Sequence, residues 1–350
     1  MLDKIFFWML LLVPVAVVAH FLGLPAGMMF FLAALAIVPL AKFIGEATEE
    51  LSVHVGSALG GFLNATFGNA TELIIAIFAL KAGLVEVVKA SITGSLIGNL
   101  LLVLGAAMLF GGFKYKKQKF NKTAAMASAS TLLLAVIALT MPAIFFQTAP
   151  AVGQPVIQKL SIFVAIFMLA VYGASLLFSL YTHRHLYTQE VGKYEEAKWS
   201  VAKCVVILLT ATVFVAWMSE ILVGSIEPLV KSFGWTELFI GVIFVAIIGN
   251  AAEHTSAITM ALKNKMDLAL QISIGSATQI AMFVAPLLIL ISLMFRNPMN
   301  LVFNIFELVA IVLSVMIAGL ITQDGESNWL EGLQLLAAYA IMGVVFFFHP

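Results

Sequence analysis

The sequence predicts an all-α integral membrane protein of eleven transmembrane helices, built as one helix plus two inverted five-helix repeats. Three observations predict it. Of the 350 residues, 62% are hydrophobic and 10% charged, with a mean hydropathy of +1.09, a composition that soluble domains do not carry. The chain divides into eleven apolar runs, each near the roughly 20 residues that a helix needs to span a bilayer. One pattern, Gly-Asn-Ala-x-Glu, occurs twice inside such runs, as Gly68-Asn69-Ala70-Thr71-Glu72 and as Gly249-Asn250-Ala251-Ala252-Glu253.

The runs fall at about 5–21, 27–45, 59–80, 90–112, 123–146, 160–181, 201–224, 237–262, 268–294, 301–321 and 330–348. The first resembles the apolar core of a signal peptide. Lys4 is the only basic residue before it and no small-residue cleavage site follows, so residues 1–26 are read as a retained first helix. Residues 27–182 form the first five-helix repeat and residues 200–350 the second. Between them, 183–199 is a cytoplasmic linker holding His183, Arg184, His185, Glu190, Glu195 and Glu196. It reads as a solvated connection, with a cation or pH sensor as its functional alternative. The second and seventh runs are expected to continue as long tilted helices.

The duplication extends past the pentapeptide. The same interval separates Glu72 from Gly94-Ser95 and Glu253 from Gly275-Ser276. A unit of five spans is odd, so its second copy enters the membrane from the opposite face and the repeats are inverted. Basic residues test the count. With the N-terminus inside, thirteen fall on the inner side, among them Lys4, Lys42, Lys263, Lys265 and the cluster Lys114, Lys116, Lys117, Lys119 and Lys122. Five fall outside: Lys81, Lys89, Lys159, Lys231 and Arg296. This is the positive-inside bias, and a miscount by one span would scatter it. The C-terminus then ends outside. The short termini point to a prokaryotic cytoplasmic membrane.

Most of the eighteen Asp and Glu residues lie at span ends or in the linker. Glu307 lies in the tenth run, near one end. Only Glu72 and Glu253 lie deep, with apolar sequence on both sides. A carboxylate at the bilayer centre costs roughly 2.5–3.5 kcal/mol on insertion scales and is a functional candidate by default. The bland reading, a structural carboxyl bonded to a neighbouring helix, needs two independent accidents at matched positions. Glu49, Glu50 and Glu220 are candidates for the access path on the inner and outer sides, or else interfacial caps.

On a helix Asn69 and Glu72 share a face, as do Asn250 and Glu253. Gly68 and Gly249 join that face and admit either a close neighbour or a helix break. A break frees carbonyls, which a membrane tolerates only where they line a cavity or meet an ion. Ser95 and Asn99 on the fourth run, and Ser276 and Gln279 on the ninth, add neutral oxygens. These eight residues offer only hard oxygen ligands, which select Ca²⁺, Mg²⁺ or Mn²⁺. The 6–8 oxygens at about 2.3–2.6 Å that Ca²⁺ accepts suit such a flexible mixture best. The single Cys204 excludes intrachain disulfides and a Cys-rich metal site.

Two carboxylates neutralise one Ca²⁺. Empty and ionised, the site would hold two negative charges in low dielectric, so protons on Glu72 and Glu253 are the expected replacement for the ion. Competition for the same oxygens then couples the two fluxes. His254 is read as a partner of the site or a pore-lining group. It lacks the second histidine of His-Glu-x-x-His, and with it goes an intramembrane zinc hydrolase. A tight neutral pair of carboxylates suits occlusion better than the rapid passage of a channel. The partners expected are Ca²⁺, protons and the lipid bilayer, with no resident cofactor and no nucleic acid, and a homo-oligomer is left open.

The stretches Gly68-Asn69-Ala70-Thr71-Glu72-Leu73-Ile74 and Gly249-Asn250-Ala251-Ala252-Glu253-His254 closely resemble the two signature repeats of calcium/proton exchangers of the CAX type, in the cation/calcium antiporter superfamily. The resemblance covers essentially the whole chain. It implies that Glu72 and Glu253 coordinate Ca²⁺ and carry protons, at a midplane site between the third, fourth, eighth and ninth helices. It also implies alternating access by sliding of the second and seventh. The alternative is a Na⁺-coupled or broader divalent-cation exchanger of the same superfamily. Sodium/calcium exchangers usually carry an acidic residue near the position of Gln279. Neutral Asn99 and Gln279 favour protons.

Overall fold

The computed structural model describes every residue except 1, 56, 150, 184–196 and 350. Most of the polar linker, including Arg184, His185, Glu190, Glu195 and Glu196, therefore lies outside the described residues. The described chain is helical apart from short connections and one two-stranded ladder.

The first half runs α1 (Lys4–Phe21), α2 (Ala26–Val55), α3 (Ser57–Phe67), α4 (Ala70–Lys81), α5 (Val85–Lys114), α6 (Lys122–Thr148) and α7 (Gln154–Thr182). The second half runs α8 (Val201–Phe233), α9 (Glu237–Gly249), α10 (Ala251–Leu262), α11 (Met266–Ser292), α12 (Ile305–Ile321) and α13 (Trp329–Phe348). Among the described residues, eight helices are long and apolar enough to cross a membrane, and the pair α9 and α10, bent by 58°, makes a ninth. Two of the eleven predicted spans fall short of that measure for local reasons. The third is divided at Gly68-Asn69 into α3 and α4. The tenth starts only at Ile305, where Asn304 and Glu307 form a reciprocal capping box.

As expected for long tilted helices, α2 continues to Val55 and α8 past Gly224 to Phe233. They pack along each other and are joined at one end by side chains. Glu50 Oε2 accepts from the Lys198 and Trp199 N–H groups at 2.7 and 3.1 Å, and His54 Nε2 meets the Trp199 carbonyl at 2.7 Å.

Small residues bring the core helices into backbone contact. A Cβ on Gly94 of α5 would overlap the Val242 carbonyl of α9, and one on Gly241 of α9 would lie 2.5 Å from Ala90 of α5. Gly105 and Gly112 of α5 are in the same way closed by Gly332, Leu335 and Trp329, at the start of α13. Much of α5 is consequently buried, Lys89 and Thr93 included. Lys89, read from the sequence as an outer-side residue, donates to Glu86 Oε1 at 3.1 Å and to the Val302 carbonyl at 2.9 Å, and Thr93 donates to buried Glu307 at 3.0 Å.

The connections meet in two groups. In one, Gln118 and Lys119 (β1) pair antiparallel with Glu326 and Ser327 (β2), Lys117 bonds Glu326, and Lys114 donates to the Leu262 carbonyl. In the other, Gln158 donates to the Met299 carbonyl and the Leu301 N–H donates to Ser161.

Candidate ion-binding site

Both copies of the pentapeptide break a helix at asparagine. Asn69 (φ −105°, ψ 25°) separates α3 from α4, and Asn250 (φ −88°, ψ 17°) separates α9 from α10. Neither side chain caps the helix that follows; both reach across the molecule instead. Each glutamate thus sits in the first turn of a helix, where the positive end of the helix dipole favours an anion.

The six neutral residues singled out by sequence form one connected chain of hydrogen bonds. Asn69 Nδ2 donates to Gln279 Oε1 at 2.6 Å, and Ser276 Oγ donates to Asn69 Oδ1 at 3.1 Å. Asn99 Nδ2 donates to Ser276 Oγ at 3.1 Å and to Asn250 Oδ1 at 2.6 Å. Asn250 Nδ2 donates to Ser95 Oγ and to the Ala246 carbonyl, each at 2.8 Å. The chain crosses between α4 and α11 and between α10 and α5, so each motif is held by the Gly-Ser helix of the opposite half. A wide-turn π segment follows directly on each Gly-Ser helix, at Gly98–Val103 and Ile280–Val284, with a third at Ile240–Val245 in α9. Such segments aim side chains that a regular helix would misplace and often mark functional sites.

The glutamates stand beside this frame without joining it. Glu72 is 6% exposed and both its carboxylate oxygens lack a partner; so do Glu253 Oε2 and Asn99 Oδ1. Buried acceptors are normally satisfied, and these four unsatisfied ones, on the two motif glutamates and on the asparagine bonded to Asn250, are acceptors that a cation can complete. Glu72 lies against the second motif: a Cβ on Gly249 would be 2.7 Å from its Cγ and 3.3 Å from its Cδ. Among the described residues, no group of three or more His, Cys, Asp or Glu is placed to hold a metal, so the acidic part of the site is this pair.

The other predicted residues are placed as follows. His254 Nδ1 meets the Asn250 carbonyl at 2.5 Å, and its Nε2 is buried without a partner. Glu49 is exposed near the end of α2. Glu50 is engaged with the start of α8, and Glu220 is exposed on α8. Sequence reasoning missed Ser219, fully buried on α8 with an unpartnered hydroxyl. A signal was there: Thr48-Glu49 on α2 and Ser219-Glu220 on α8 are a matched hydroxyl–acid pair. It also missed the π segments, for which no residue pattern stands out.

Comparison with known proteins shows the family. The chain is 50% identical to a Ca²⁺/H⁺ antiporter of Aphanothece halophytica, an alignment covering 100% of this chain and 98% of that one. It is 47% identical to the Ca²⁺/H⁺ antiporter ChaA of Bacillus subtilis, covering 99% of each. The solved structure of native YfkE superposes with a TM-score of 0.88 at 44% identity, covering 98% of this chain and 100% of that one. The sodium/calcium exchanger protein family model matches twice, over residues 26–181 and 203–348, once on each half and each time across a Gly-Asn-Ala-x-Glu motif. With both halves matched, the chain is a transporter that belongs to the sodium/calcium exchanger protein family.

Proposed function

We propose that the protein is a secondary active antiporter that exchanges Ca²⁺ for protons across the membrane, with Glu72 and Glu253 binding either the ion or protons. The observation that carries this is the set of buried, unpartnered oxygens on Glu72, Glu253 and Asn99 beside a hydrogen-bonded neutral frame. Two carboxylates neutralise one Ca²⁺, and protons neutralise the same oxygens when the ion leaves. Ca²⁺ and protons therefore exclude each other, and strict exclusion is the coupling. The names of the relatives from Aphanothece halophytica and Bacillus subtilis support the same ion pair and a prokaryotic cytoplasmic membrane.

The reading includes eleven spans, one plus two inverted five-helix repeats at 27–182 and 200–350, with the N-terminus inside. Two features support it. The family model matches each half separately. The contacts between connections also respect the alternation: the 114–122 segment meets 262 and 326–327, all assigned inside, and 158–161 meets 299–301, all assigned outside. Alternating access by movement of α2 and α8 is supported by their joint packing and their clasp through Glu50 and His54.

The test is Ca²⁺ uptake into proteoliposomes under an imposed pH gradient, with and without Na⁺. Uptake is expected to need the proton gradient and to ignore Na⁺, because Asn99 and Gln279 are neutral and already bonded to neighbours. Ca²⁺ movement driven by a Na⁺ gradient with pH clamped on both sides would overturn proton coupling.

A further inference from the structure

The end of α10 remote from Glu253 is held by an anchor that the ion site does not explain. Gln118, on β1, is 1% exposed. Both hydrogens of its amide are used at one helix end: Nε2 donates to the Ala261 carbonyl at 2.8 Å and to Asn264 Oδ1 at 3.0 Å. Ala261 and Leu262 are the last residues of α10, where helix carbonyls lack an intrahelical partner; that of Ala261 also accepts from the Asn264 N–H of the following turn, at 3.0 Å. Asn264 follows in the left-handed conformation (φ 59°), turned so that its side chain meets the same amide. Lys114 Nζ and Tyr115 Oη add bonds to the Leu262 carbonyl at 2.8 and 3.3 Å.

Gln118 is itself fixed on three sides. Its backbone pairs with Ser327 in the ladder. Two residues on, the Phe120 N–H donates to the Gly325 carbonyl at 3.0 Å. Its amide lies against Gly111, where any Cβ would overlap its Oε1. Gly111 belongs to α5, the helix that also carries Ser95 and Asn99, which hold Asn250 at the other end of α10. One helix and the segment after it thus grip α10 at both ends. Glu253 stands nine residues before Leu262, about 13 Å along the axis. At the matching end of α4 the Ala79 and Leu80 carbonyls accept from the backbone N–H groups of Leu84 and Gly83, at 2.9 and 3.0 Å.

We propose that Gln118 is a positioning residue for ion exchange: it fixes the inner end of α10 and thereby the height and rotation of Glu253 against Glu72. This rests on the Ca²⁺/H⁺ exchange reading. A rigid second carboxylate is pre-organised for the ion, and the ordering cost that a loose helix would meet on binding is avoided.

The test uses the full chain in proteoliposomes, with Ca²⁺ uptake measured over a range of Ca²⁺ concentrations under a pH gradient. Gln118→Leu keeps the volume and removes both donors. Its half-saturating Ca²⁺ concentration is expected to rise about fivefold, the factor a lost hydrogen bond commonly makes, with a smaller change in maximal rate. Lys114→Met, at an exposed position where folding is not at stake, should shift the same parameter by about twofold. Ser327→Ala removes an unpartnered hydroxyl from the same ladder and should shift nothing. A Gln118→Leu or Lys114→Met protein that loses maximal rate at unchanged half-saturation overturns the proposal, as does an equal shift in Ser327→Ala. Failure of the exchange reading is seen separately, as a wild-type protein that takes up no Ca²⁺.

Discussion

The two halves of the molecule carry the same motifs and use them differently. Ser95 and Ser276 do matched work, each bonding the asparagine of the opposite half. The glycines do not. Gly249 is the surface against which Glu72 lies, whereas the nearest atom to a Cβ on Gly68 is the Asn64 carbonyl of its own half. Gly94 is pressed onto the backbone of α9, whereas Gly275 has nothing within 4 Å. The first turn of α4 is buried, and that of α10 is half-exposed. The C-terminal end of α10 is held by the side chains of Gln118 and Lys114, and that of α4 by backbone N–H groups. Under the inverted-repeat reading this inequality is required. Two halves in one conformation would open the site to both faces or to neither, and exchange needs it open to one at a time. Under that reading the matched residues define what is bound, and the unmatched contacts define which face is open.

The largest expected effect falls where the halves are equivalent. Glu72→Gln and Glu253→Gln each remove one of two buried carboxylates at nearly constant volume. Leaving half of a buried charge set uncompensated costs about 3–5 kcal/mol, so each should reduce Ca²⁺ transport by about 100-fold or more while the purified protein stays folded. The check is uptake by proteoliposomes alongside size-exclusion and thermal profiles. Robust transport by either variant would break the equivalence on which the site is built.

The contrast also shows what could be read in the chain. Helical membrane architecture, the paired glutamates and the neutral residues of the frame were all legible, because a polar residue in an apolar run needs a reason. The repeat at one interval supplied that reason for Asn69, Asn250, Ser95 and Ser276. The roles within the frame were not legible. Asn99 and Gln279 were expected to offer oxygens to the ion; Gln279 Oε1 accepts from Asn69, whereas Asn99 bonds Asn250 and Ser276 through Nδ2 and keeps Oδ1 unpartnered. Sequence spacing gives the face of a helix but not the rotation between two helices. Lys89 and Gln118 looked like ordinary residues of charged connections, and both are buried. Only the backbone approaches at Gly94, Gly105, Gly111 and Gly112 bring enough chain around them, and a lone glycine in a sequence does not say what it faces. The break after Gly68 was one of two alternatives that the glycine offered, the other being a close neighbour; the π segments left no such mark.

Gly94→Ala should come next in size. Its methyl group would overlap the Val242 carbonyl, which belongs to backbone and has no rotamer to escape by. Overpacking of this kind costs about 1–3 kcal/mol, seen as a lower melting temperature in detergent and poorer yield. Gly249→Ala should act on the ion instead. A methyl group there would sit 2.7 Å from Glu72 Cγ, and that flexible side chain can give way. The expected outcome is a near-normal melting temperature with Ca²⁺ half-saturation raised about tenfold, as one misplaced ligand of about 1.4 kcal/mol would produce. If Gly249→Ala melts early and keeps its affinity, the glycine serves packing and the cross-motif contact with Glu72 is incidental.

The smallest effect is the one that isolates the asymmetry. Gly275 stands one residue before Ser276, as Gly94 does before Ser95, so symmetry alone would give Gly275→Ala the same cost as Gly94→Ala. The surroundings give the opposite sign. Gly275 lies inside α11 with no atom within 4 Å of a new methyl group. Replacing a glycine inside a helix by alanine there gains about 0.5–1 kcal/mol through the unfolded chain alone. Gly275→Ala should therefore melt slightly higher than the wild type, measured in the same detergent as Gly94→Ala. A clear loss of stability would mean that α11 is packed as closely as α5 and that the two halves are equivalent after all. A stable Gly275→Ala protein with reduced transport would sharpen the comparison. The space beside Gly275 would then be open in this conformation and needed by a neighbouring helix in the opposite one, where the two glycines exchange roles.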